Sequence, residues 1–141
     1  MSPIFLSVLL AAGEPALKDP PPKLDPLYGL WAIQTVTVAG KEYPEVDDRR
    51  WEFRPDGKHM RYVGDEPIWR NPIPFTGDPR AKPAALNIGY FASTLGIYKI
   101  DGDTLTICVA EKDRKTRPTD FSPPKDADST LYVFKRIKPK D

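Results

Sequence analysis

The sequence predicts an all-β fold, an antiparallel up-and-down barrel of about eight strands. Three observations carry that prediction. The 17 prolines among 141 residues are unevenly spread and leave Pro-free stretches at 27–43, 84–117 and 125–138. Proline lacks the backbone donor that a sheet ladder needs, so strands run where it is missing. Those stretches hold β-branched and aromatic residues, broken by turn signals about every 8–12 residues. No segment of useful length repeats apolar residues at i, i+3, i+4 and i+7 without a proline, so no substantial helix is expected.

The chain opens with a nine-residue apolar run over 4–12, Ile-Phe-Leu-Ser-Val-Leu-Leu-Ala-Ala. A bilayer span needs about 20 such residues, so no integral membrane segment is expected there. The length suits the apolar region of a signal peptide. Ala11 and Gly13 supply small residues at −3 and −1 for a cut before Glu14. The reading is a signal peptide over 1–13 and an exported protein, periplasmic or extracellular. Leu10-Ala11-Ala12-Gly13 is followed by Glu14 where a lipoprotein would carry cysteine, so no lipid anchor is expected. Residues 14–26 hold five prolines, three of them consecutive at 20–22, and read as an extended linker. The domain is expected over 27–138.

Within it, residues 31–38 form a first strand ending at the turn Ala39-Gly40-Lys41. Residues 50–54 alternate charge with Trp51 and Phe53. The turn Pro55-Asp56-Gly57-Lys58 leads into a second arm over 58–63, with Met60 and Tyr62 at period two. Residues 63–76, with Pro67, Pro72 and Pro74, are expected to form a longer loop. Residues 78–83 (Asp-Pro-Arg-Ala-Lys-Pro) are expected to turn between strands, and 86–91 to form another strand. The clearest hairpin joins 95–100 to 104–109 through Asp101-Gly102-Asp103. Pairing Ile100 with Leu105, Tyr98 with Ile107 and Gly96 with Val109 puts all six on one mostly apolar face. Thr104, Thr106 and Cys108 take the other. Residues 130–137 form the last strand.

Leu27-Tyr28-Gly29-Leu30-Trp31 resembles the Gly-x-Trp opening of lipocalin-like (calycin-type) barrels. Near the chain end, Lys135-Arg136 stands where such barrels place a basic residue over that Trp. Gly29, Trp31 and Arg136 are thus the expected barrel closure, and a guanidinium over an indole is worth about 0.5–2 kcal/mol. More specifically, the chain resembles a family of small exported lipocalin-like proteins expanded in planctomycete bacteria. The match rests on Gly29-Leu30-Trp31, the hairpin over 95–108, Arg117-Pro118-Thr119-Asp120-Phe121 and residues 131–136. It covers roughly 26–138. The resemblance implies the fold, an up-and-down lipocalin-like β-barrel, and no chemistry.

Charge and composition narrow the function. Lys plus Arg is 21 and Asp plus Glu is 20, a net charge of +1, which gives no electrostatic case for nucleic acid. One His and one Cys leave no intrachain disulfide and no Cys/His zinc site, and no cofactor is implied. His59 reads as a half-exposed strand histidine and Cys108 as a packing residue. The resemblance makes Arg117 a family residue after a strand, and a candidate for an anionic ligand at the barrel mouth. Trp51, Tyr62, Trp69, Tyr90 and Tyr98 are candidates to line an apolar cavity, against the alternative of a filled interior. The first expectation is a monomer that binds a small apolar or amphipathic ligand without catalysis. The second is a protein-interaction or inhibitor module of the cell envelope. An enzyme built on Arg117 and a nearby carboxylate is the third. A packed interior with an exposed aromatic patch near Trp69 would favour the second.

Overall fold

The computed structural model describes residues 24–45, 47–110, 116–122 and 129–138. The expected signal peptide and most of the expected linker lie outside the described residues. The strands are β1 (Gly29–Val38), β2 (Lys41–Pro44), β3 (Arg49–Phe53), β4 (Lys58–Val63), β5 (Glu66–Pro67), β6 (Ile73–Asp78), β7 (Ala84–Ile88), β8 (Thr94–Asp101), β9 (Thr104–Ala110) and β10 (Ser129–Ile137). Eight of them form a closed antiparallel ring in the order β1-β3-β4-β6-β7-β8-β9-β10, with β10 paired back to β1. The remaining two are edge additions: β2 pairs the far end of β1, and β5 pairs the end of β4. Closure removes the free edges that an open sheet would expose.

The β8–β9 hairpin has the register the apolar pattern predicts. Ile100 faces Leu105, Tyr98 faces Ile107, and Gly96 faces Val109, with Gly102 and Asp103 as a two-residue turn. The β3–β4 hairpin also forms where expected, with Arg54 N donating to Lys58 O at 2.9 Å.

Along β1 the pairing with β10 slips between Val133 and Phe134, so that Gln34 is an extra residue on β1. Such a bulge bends the strand, and beyond it Thr35–Val38 pairs with β2.

The interior is filled. Trp31, Phe53, Leu105, Ile107 and Phe134 have no exposed surface, and Trp51 has almost none. Aromatic rings pack at the preferred separations, with Trp51 at 5.0 Å from Phe134 and Phe53 at 5.0 Å from Phe75 between centroids.

Four expectations are corrected. The 63–76 loop contains β5 and β6. Pro74 lies just outside the β6–β7 ladder, which begins at Phe75, and its carbonyl accepts from Gly89 N at 2.9 Å. The strand expected over 86–91 is shifted. It runs Ala84–Ile88, and Tyr90–Ala92 forms a 3-10 turn with Phe91 and Ala92 at φ +58° and +50°. The 3-10 turn Asp25–Leu27 overlaps the expected linker, and Leu24 and Leu27 are buried in the core. In β4 Tyr62, a candidate to line an apolar cavity, lies on the outer side, as does the buried Met60. Phe53 and Trp51 draw their cross-strand partners His59 and Arg61 to the inner side.

Candidate functional site

A cavity lies at the barrel end closed by the 3-10 turn. It holds about 510 Å³. Leu27 and Pro26 of the turn form one side, and Pro79, Ala81, Lys82 and Pro83 of the β6–β7 loop form another. Ala84, Tyr98, Lys99 and Ile100 belong to β7 and β8, and Phe121 closes the space from the segment 116–122. Proline-rich chain cannot continue the ladder, so the loop leaves the sheet between β6 and β7 and the space opens beneath it. Most of the lining is apolar. Burial, with a smaller contribution from the Asp78 carboxylate, raises the Tyr98 phenol above its ordinary range, so it stays protonated at neutral pH.

Of the six candidates for ligand contact, only Tyr98 lines this cavity. Arg117 holds the protein together instead. Its Nη1 donates to Leu86 O at 3.0 Å and to Gly96 O at 2.8 Å, and its Nη2 donates to Asn87 Oδ1 at 2.6 Å. These three donations pin the segment 116–122 across β7 and β8. The acceptors are two carbonyls and an amide, not the carboxylates that the catalytic reading needs. Four residues further on, Phe121 lies under the Lys99 ammonium, 4.6 Å from the ring centroid.

Trp51 and Trp69 meet at a different place. The Arg61 guanidinium stands 3.8 Å from the Trp51 ring centroid and 5.2 Å from that of Trp69. Arg61 Nε donates to His59 Nε2 at 3.0 Å, which leaves the proton on Nδ1 to bond Glu52 O at 2.9 Å. Far from half-exposed, His59 is fully buried. Desolvation first, then the Arg61 charge, lowers its pKa to about 3. Both ring nitrogens are engaged, so His59 has no lone pair to offer as a general base.

Tyr62 sits on the outer face, where its hydroxyl donates to Glu52 Oε1 at 2.8 Å. Tyr90 is exposed on the 3-10 turn, beside a wholly exposed Phe91. The exposed aromatic pair is therefore at residues 90–91, while Trp69 packs against His59 with ring centroids 5.9 Å apart. Cys108 is buried on the outer face of β9, and burial pushes its thiol up to about 11.

At the seam, the Arg136 guanidinium carbon lies 4.1 Å from the Trp31 ring centroid. Arg136 Nη1 donates to Tyr28 O at 3.0 Å, and Trp31 Nε1 donates to Leu27 O at 2.9 Å. Gly29 has φ +128°, and a Cβ there would come within 3.0 Å of Arg136 Nη1. A side chain at residue 29 would meet both backbone strain and the guanidinium.

Sequence reasoning missed Leu27, Ala84, Ile100, Lys82 and Lys99 as cavity residues. Phe121 was within reach, since it ends the Arg117-Pro118-Thr119-Asp120-Phe121 motif. Among the described residues no helix is long and apolar enough to cross a membrane. Comparison with protein-family models, with curated proteins and with solved structures finds no match.

Proposed function

We propose that this chain is an exported lipocalin-like barrel that binds a small apolar or amphipathic ligand without catalysis, and that the 510 Å³ cavity is where it binds. The cavity is the observation that carries the reading. Its volume falls within the range of about 300–1,000 Å³ typical of small-molecule sites. Its walls come from Leu27, Pro83, Ile100 and Phe121, with one protonated phenol to orient a polar group. Burying an apolar ligand there gains about 25 cal/mol for each Å² removed from water. Export rests on the apolar run over 4–12, and the family on the Gly29-Leu30-Trp31 and hairpin resemblance.

The test is titration with N-phenyl-1-naphthylamine, a neutral dye that brightens in apolar surroundings. Saturable brightening is expected in the native protein. Ala81→Trp, which fills the cavity from its loop, should abolish it while leaving the circular dichroism unchanged. Equal brightening in both proteins would remove the cavity from consideration.

A second reading, an interaction or inhibitor module, is favoured by the filled barrel interior and by one exposed side chain. Phe91 is fully exposed in a left-handed conformation at the barrel end opposite the cavity. An aromatic held outward at the expense of backbone strain has no role in the fold's own packing.

A further inference from the structure

Resting on the cavity reading, the arrangement of charge around that space narrows the ligand. We infer that the cavity takes an amphiphile with an anionic head: an apolar body against Leu27, Ala84, Tyr98 and Ile100, and a carboxylate or similar group between Lys82 and Lys99.

The lining contains two ammonium groups and no carboxylate. Both lysines are exposed, so they mark the rim rather than the floor. Among the described residues, no acid forms an ion pair with either. Asp78, close enough to Tyr98 to affect its phenol, is already engaged by Arg80 at 3.6 Å. The charges on the lining residues themselves are therefore both positive. Lys99 is also held in place, with its ammonium over the Phe121 ring at 4.6 Å. An apolar body in the cavity brings its head to this rim. There an anion gains two charge-assisted contacts, a neutral head gains none, and a cation is repelled. The Tyr98 phenol, kept protonated, adds a donor and no negative charge.

The magnitudes set the expectation. An exposed ion pair contributes a factor of about 1.5 to 5, so two together give about 2- to 25-fold. Each methylene added to the body gives about fourfold while space remains.

The experiment is calorimetric titration of the full chain with decanoate, 1-decanol and decylammonium, each below its self-association concentration. Decanoate should bind about 2- to 25-fold tighter than decanol, and decylammonium weaker than either. The preference for decanoate should shrink in high salt, since the lysines are solvent-screened. Lys82→Gln combined with Lys99→Gln should bring decanoate to the level of decanol and leave decanol unchanged. Equal affinity of decanoate and decanol for the native protein would overturn the anionic head and leave the cavity reading standing, as would preference for decylammonium. Binding of none of the three would overturn both. A decanoate preference that survives the double substitution would overturn the assignment to Lys82 and Lys99.

Discussion

The charge state of His59 is set by its surroundings rather than by the solvent. In the unfolded chain an imidazole titrates near 6.5, whereas burial and the Arg61 guanidinium hold this one at about 3. Between those values the unfolded state binds more protons, so stability is lost as pH falls from about 6.5 towards 3. Above that window the group is neutral in both states and adds no pH dependence. The whole window corresponds to at most about 5 kcal/mol. His59→Gln keeps a donor for the Glu52 carbonyl and an acceptor for Arg61, and takes up no proton. Its thermal midpoint should fall less steeply than the native one on acidification, and parallel curves would exclude His59 as a source of acid sensitivity. The sequence did not reveal this burial. Lys58 and Met60 on either side allow either face of β4 to turn inward, and the choice is made across the strand. Phe53 opposite His59, and Trp51 opposite Arg61, bury more apolar surface than Met60 and Tyr62 would. Tyr62 was misplaced by the same ambiguity.

Among the elements, hairpins with a strong turn were legible, because Gly102-Asp103 and Asp56-Gly57 fix both the reversal and the register. Elements that depend on distant partners were not. β6 carries Pro74 and a weak pattern, and it is a strand only because β4 and β7 flank it. The segment 116–122 is similar, since its place is decided by the acceptors of Arg117 on β7 and β8. That segment has a measurable consequence for Cys108. The thiol is on the outer face of the barrel, yet it is fully buried, with Asp120 of the segment and Ser129 of β10 as polar neighbours. In the native protein it should react very slowly with an aromatic disulfide reagent at neutral pH. Arg117→Ala removes three donations, a cost of order 1–3 kcal/mol. The reaction should then accelerate about tenfold or more, and an unchanged rate would mean that Arg117 does not hold the cover in place.

For the molecule as a whole, the closed ring was legible from the strand count, the Pro-free stretches and the Gly29-Leu30-Trp31 opening. The position of the cavity was not. A filled interior and an opening at one end differ by the volumes of a few side chains and by the path of the 79–83 loop, which no period in the sequence records. Closure depends on the seam where Trp31 lies under Arg136 and bonds the Leu27 carbonyl. Trp31→Ala empties a fully buried site and should cost about 3–5 kcal/mol in chemical denaturation. A loss below about 1 kcal/mol would show that the seam holds without it. The same seam brings the two ends of the barrel together, since β10 runs alongside β1 to Ile137 opposite Leu30, and Arg136 bonds the Pro26 and Tyr28 carbonyls. In such a ring the starting point of the chain is arbitrary. A short bridge from the end of β10 to the turn before β1, with a new opening at the Gly64-Asp65 turn, would preserve every strand neighbour. The fold is specified by the cyclic order of its strands, and the linear order of the sequence is one of several equivalent ways to write it.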